Sequence, residues 1–152
     1  MDALTRLRPA FLTPAGMGAI TLIARVWLGA MMIVHGQPKI ADGMVRLTNS
    51  LMERGWPMPM FQAFTVASIE FGGGILIIAG LFTRPLATIA AGLFTGISLM
   101  FLTNAPFGQK ELALSYLLLA LIVIALGPGK YSVDALLFRN KEQAAPGDRN
   151  SR

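Results

Sequence analysis

Phe64-Thr-Val-Ala-Ser-Ile-Glu70-Phe71-Gly72-Gly73-Gly74-Ile-Leu-Ile-Ile-Ala-Gly80-Leu-Phe82 is the stretch whose reading decides the fold. It is almost wholly apolar, close to the length that crosses a bilayer, and carries a carboxylate near its middle. An ionised Glu in hydrocarbon is costly, so Glu70 must find a partner, take up a proton or face a polar cavity. Gly72, Gly73 and Gly74 follow within a turn and leave room for another helix, or a flat ligand, to approach the backbone. The stretch points to a membrane protein with a buried polar site.

Composition agrees. The 152 residues are 54% hydrophobic and 14% charged, values that fit an integral membrane protein better than a soluble domain. Cysteine is absent, which excludes disulfide relays, thiolate nucleophiles, Fe–S ligation and Cys-based zinc sites within this chain. The formal net charge of +5 comes from scattered basic residues, not from one basic face, so nucleic acid is not an expected partner. The apolar run after Arg6 and Arg8 is broken by Pro9, Pro14 and Arg25, a pattern unlike a cleavable signal peptide. The first hydrophobic segment is expected to remain in the mature protein.

Outward from the Glu70 stretch, the hydrophobic pattern predicts an all-α membrane protein: a four-transmembrane-helix bundle with spans over about 16–34, 62–82, 86–102 and 111–127. Gly36 and Pro38 predict a break after the first span. A separate amphipathic helix is expected over about 38–54, with Ile40, Met44, Leu47 and Leu51 on one stripe and Asp42, Arg46, Asn49 and Glu53 elsewhere. Too polar to span, it should lie at the interface like a lid, ended by Gly55 and the turn Trp56-Pro-Met-Pro59. In the third span, Gly92-Leu-Phe-Thr-Gly96 is a small-xxx-small motif, which indicates close packing. Residues 1–140 form one domain, and 141–152 read as a flexible tail.

Four spans put both termini on one side. Lys and Arg in the N-terminal tail, at Arg84 and in the C-terminal tail outnumber Lys39, Arg46, Arg54 and Lys110 on the other. The positive-inside rule then places both termini in the cytoplasm.

The polar residues within the spans define a candidate site. Arg25, Leu28, Met32, His35 and Lys39 follow a three-four spacing and share one broad helical face. Arg25 lies roughly 12–14 Å from the inner end of its span and Glu70 roughly 18 Å from the inner end of its own, at 1.5 Å per residue. An Arg25–Glu70 pair is therefore within reach, with His35 and Lys39 higher, near Glu111. Such a pair has two readings: packing glue that neutralises two costly charges, or a proton-accepting site beside a bound hydrophobic carrier such as a quinone. Trp27, Phe71 and Tyr116, with Gly73 and Gly74, would accept a flat head group. His35 is the only histidine, so bis-His haem ligation would require a dimer, and hydrogen bonding is its expected role. Arg84 reads as a topology anchor, and Asp134 as the cap of a short surface helix.

The order Arg25…Gly29…His35-Gly36-x-x-Lys39, then Glu70-x-x-Gly73-Gly74 with Gly80-Leu-x-Thr-Arg84, then Gly127-Pro-Gly129-x-x-Ser132-x-Asp134 resembles the DoxX family over about residues 17–139. The resemblance implies a four-helix bacterial inner-membrane protein related to the small membrane subunit of thiosulfate:quinone oxidoreductase and to membrane partners in oxidative-stress complexes. It singles out Arg25, His35, Lys39, Glu70, Arg84 and Glu111.

Three functional readings follow. In the first, the chain is a membrane redox subunit: Glu70 exchanges protons, Arg25 tunes its charge, and His35 and Lys39 line the outer mouth. Trp27, Gly73, Gly74, Glu111 and Tyr116 then complete the quinone site. No haem, flavin, metal or Fe–S motif is visible, so a soluble or peripheral redox subunit would carry the electrons. In the second, the chain is a non-enzymatic scaffold or assembly factor for a redox or stress-response complex. In the third it is a small-molecule or proton-coupled transporter, for which four short spans leave little room unless a homo-oligomer forms.

Overall fold

The structure, a computed structural model, describes residues 13–40, 42–101, 104 and 106–137. Among these, every regular element is helical. α1 covers Pro14–Ile40 and α2 covers Gly43–Glu53. A second rod runs as α3 (Pro59–Ser68), a π-helical turn (Ile69–Gly73) and α4 (Gly74–Ala79). α5 (Thr83–Gly96) continues into a second π-helical turn (Ile97–Phe101), and α6 covers Phe107–Leu126. A short helix follows at 133–137. The tail expected over 141–152 and the N-terminal charges Arg6 and Arg8 lie outside the described residues.

α1 and the α3–α4 rod, 27 and 21 residues long, are long and apolar enough to cross a bilayer. Burial is distributed as hydrocarbon surroundings demand. Ile23, Trp27, Val34, Phe64 and Leu118 are each more than half exposed, whereas Arg25 and Glu70 are 1% and 2% exposed.

α1 does not break where Gly36 and Pro38 suggested. Pro38 stands two residues from the helix end, so its missing N–H costs one bond in the last turn and the helix stops soon after. Gly36 is required by packing: a Cβ there would lie 2.6 Å from the Phe71 backbone nitrogen. Residues 38–40 accordingly belong to α1, and the amphipathic helix is the shorter Gly43–Glu53. Lys39 thus stays one helical turn beyond His35 on the same face.

Glycines set the register between α1 and the antiparallel α3–α4 rod. A Cβ at Gly29 would lie 2.5 Å from the Gly74 carbonyl oxygen, and one at Gly74 would lie 2.7 Å from the Gly29 oxygen. The backbones therefore touch directly. Gly29 opposes Gly74, Gly36 opposes Glu70 and Phe71, and Arg25 opposes Gly80. That register brings Lys39 up to Glu70.

The rod ends in a Schellman motif. Gly80, at φ 74°, takes the left-handed conformation while Leu81 N–H bonds the Leu76 carbonyl at 3.0 Å. α5 and α6 pack closely through Ala87, Ala90 and Ala120 around a core with Leu28, Met32, Ile77, Phe94 and Val123. Gly92 and Gly96 take no part in this packing, contrary to the reading of their spacing. A Cβ built at either finds nothing within 4 Å, because both face a cavity.

Candidate functional site at the Lys39–Glu70 pair

Four polar side chains converge on one cavity of about 170 Å³, lined by His35, Lys39, Glu70, Phe94, Ile97, Leu112, Ala113 and Tyr116. α1 supplies His35 and Lys39, the first π-helical turn supplies Glu70, and α6 supplies Tyr116. Lys39 Nζ forms an ion pair with Glu70 Oε2. Glu70 is almost fully buried, while the Lys39 side chain keeps 27% of its surface exposed. His35 Nε2 and the Tyr116 hydroxyl are 3.0 Å apart, and their rings are tilted with centroids 5.5 Å apart. Phe94 also packs against Tyr116, with ring centroids 5.3 Å apart. Both π-helical turns border the cavity, through Glu70 and Ile97. Such turns loosen the regular ladder and recur at functional sites.

Chemically, the arrangement offers two proton-bearing pairs facing one space. Lys39 neutralises the Glu70 carboxylate, which would otherwise be an isolated charge in a low-dielectric interior. The His35–Tyr116 pair can relay a proton, with the direction set by the histidine tautomer.

A second cavity of about 420 Å³ adjoins the first and shares Lys39 and Ile97 as walls. Its remaining lining is Leu47, Leu51, Trp56, Gln62, Val66, Gly92, Leu93 and Gly96. The Gln62 amide donates to the Pro57 carbonyl at 2.6 Å, so it is already engaged.

The expected Arg25–Glu70 pair does not form. Arg25 donates to the Pro128 carbonyl at 2.5 Å and to the Tyr131 carbonyl at 2.6 Å. The turn at Gly80 and the segment 127–132 fold up to the level of Arg25, where Gly127 and Gly129, with φ of 75° and 71°, break the helix and free carbonyls for the guanidinium. Arg25 therefore clamps a loop, roughly 15 Å below His35 at the helical rise.

Other expectations also shift. Trp27 is 59% exposed on the outer face of α1 and lines neither cavity. Glu111 is exposed, because Leu112, Ala113 and Tyr116 form the cavity face of α6 and Glu111 falls outside it. Gly74 has its open side filled by α1, and a Cβ built at Gly73 would lie 3.7 Å from the Met32 methyl, so both face α1 and neither lines the cavity. Asp134 does not cap its own helix; Ser132 Oγ does, accepting from Ala135 N–H at 3.0 Å. The Asp134 carboxylate instead accepts from Phe82 and Thr83 N–H at 3.0 and 3.1 Å, capping α5 from across the loop. Arg84 lies against Gly127. Phe94, Ile97, Leu112 and Ala113 were missed; as ordinary apolar residues, they carry no local signal of a cavity.

Among the described residues, an all-helical architecture with apolar outer faces and a buried Glu70 paired with the half-buried Lys39 defines a small membrane protein with an internal polar site. The DoxX family model matches residues 20–103, and the chain belongs to that family. It is 30% identical over 125 residues to "Putative oxidoreductase CatD" of Bacillus subtilis, covering 80% of this chain and 90% of that protein. It is 35% identical over 124 residues to the inner membrane protein YqjF of Escherichia coli, covering 76% and 90%. It is 40% identical over 77 residues to the inner membrane protein YphA of the same organism, covering 49% and 53%. No solved structure matches the chain significantly.

Proposed function

We propose that this protein is a four-span inner-membrane subunit of an oxidoreductase, holding the head group of a quinone or similar hydrophobic carrier against Lys39, Glu70, His35 and Tyr116. The observation that carries the reading is the convergence of the Lys39–Glu70 ion pair and the His35–Tyr116 hydrogen bond on one cavity. A carrier reduced at its ring carbonyls takes up protons there. Lys39 or Tyr116 can donate a hydrogen bond to a carbonyl oxygen, and Glu70 can hold a proton once Lys39 turns away from it. Arg25 drops out of this chemistry and serves the loop. α6, 20 residues long, and α5 with its π-helical extension supply the third and fourth spans. Both termini then face the cytoplasm by the charge bias, and the polar cavity and α2 lie toward the outer side. Electrons arrive from a soluble or peripheral partner subunit. The names of CatD, YqjF and YphA are consistent with a redox role and an inner-membrane location.

The test is purification of wild type and Glu70→Gln in mild detergent, with co-extracted isoprenoid quinone quantified by mass spectrometry. Near-stoichiometric quinone in wild type, reduced several-fold in the variant, is the expected result. Equal trace amounts in both would refute the site and favour a scaffold.

A further inference from the structure

Gly92 and Gly96 line open space, in a helix whose alanines Ala87, Ala90 and Ala91 are buried. Packing therefore does not account for the missing side chains at these two positions. Both line the larger cavity, together with Leu47 and Leu51 of α2, Val66 and Leu93. At one end that cavity reaches Lys39 and Ile97, which also border the head-group cavity.

We propose that this cavity is the tail compartment of the site: it takes the alkyl or isoprenoid chain of an amphiphile whose head lies at Lys39 and Glu70. The inference rests on the head-group reading above. Size supports it. A cavity of about 170 Å³ is too small for a drug-sized ligand, which takes about 300–1,000 Å³, whereas the two adjoining cavities taken together fall within that range. Polarity supports it as well: the charge is at one end, and the rest of the lining is apolar apart from the engaged Gln62. A second copy of the chain is the competing occupant, since small residues at this spacing also seat helices. With side chains, however, a helix is about 10–12 Å across. A space already walled by α2 on one side suits a single alkyl chain better. Gly92 and Gly96 are then specificity residues whose lack of side chains admits the tail.

The experiment uses the full chain in phospholipid nanodiscs and two probes with one head group, decylubiquinone and the tail-less parent benzoquinone. Binding is measured by equilibrium dialysis for wild type, Gly92→Ala, Gly92→Leu and Gly96→Leu. Wild type should prefer the tailed probe at least tenfold. Either Leu variant should lose most of that preference while binding the tail-less probe as wild type does, with Gly92→Ala intermediate. Partitioning of the tailed probe into lipid is the same for every variant, so it cannot mimic this loss. Tail preference retained in both Leu variants would overturn the tail compartment and leave the head site standing. A change in oligomer mass with unchanged binding would overturn it in favour of a second copy. Failure of wild type to bind either probe would remove the head-group reading, and this inference with it. Helicity by circular dichroism checks that the variants fold, and Gly92→Ala, the smallest change, keeps the test open if a Leu variant does not.

Discussion

Replacing Gly29 with Ala tests whether direct backbone contact aligns the site. A Cβ at Gly29 would lie 2.5 Å from the Gly74 carbonyl oxygen and 2.6 Å from Ile78 Cγ1. Ordinary carbon–oxygen contacts are about 3.3–3.6 Å, so α1 and α4 must separate by about 1 Å. The Ile78 side chain can rotate, but a main-chain carbonyl inside a helix cannot. Overpacking of this kind costs about 1–3 kcal/mol, partly offset by up to about 1 kcal/mol from the better helix propensity of Ala. A net loss of about 1–2 kcal/mol, roughly 5- to 30-fold in the folding equilibrium, is expected. The control is Gly92→Ala, where the new Cβ meets nothing within 4 Å. With only propensity in play, that variant should gain about 0.5–1 kcal/mol. Both are Gly→Ala changes at exchange-tolerant-looking positions in apolar helices, yet their effects should have opposite signs. Equilibrium unfolding in mixed micelles, followed by helical circular dichroism, reads both. Equal stability of Gly29→Ala and Gly92→Ala would refute the register argument.

Two further substitutions probe the polar network. Lys39→Met leaves Glu70 buried without its cation, and removing one partner of a buried pair costs about 3–5 kcal/mol. Partial exposure of Lys39 puts the expected loss at the lower end of that range or below it, and Lys39→Met combined with Glu70→Leu should recover much of it. Equal stability of the single and double variants in the unfolding assay would contradict the pair's role. Asp134→Ala removes the acceptors for Phe82 and Thr83 N–H and should cost about 0.5–2 kcal/mol, as loss of a helix cap does. Amide hydrogen exchange at those two residues should accelerate; unchanged protection there would show that the cap is idle.

The sequence conveyed the class of protein and singled out the four polar residues that line the candidate cavity, but neither its apolar walls nor the pairing. Glu70, Lys39, His35 and Tyr116 stand out locally as polar groups in apolar helices, and burial leaves such groups few options. Which of them meet depends on how far one helix slides along another. Arg25 and Lys39 lie on the same helix about 21 Å apart at the helical rise, roughly four turns, and hydropathy does not register which of the two stands level with Glu70. The same blindness explains the glycines. Gly29-x-x-x-x-x-x-Gly36 and Gly92-x-x-x-Gly96 both look like contact stripes, but only the first touches a neighbour. Asp134 and Arg25 were misassigned for a related reason: each bonds to a segment more than 50 residues away in the chain.

What the amino-acid sequence determined alone was everything that follows from short-range chemistry. Long apolar runs specify helices suited to a bilayer, absent cysteine excludes thiol chemistry, and a carboxylate within a span requires a partner. What tertiary structure alone decided was the register. Contact of the Gly29 and Gly74 backbones, with Gly36 against Phe71, carries Lys39 to Glu70 and leaves Arg25 at the loop end. The physical reason is that backbone contact depends on the shapes of two surfaces at once, and neither helix encodes its partner's shape.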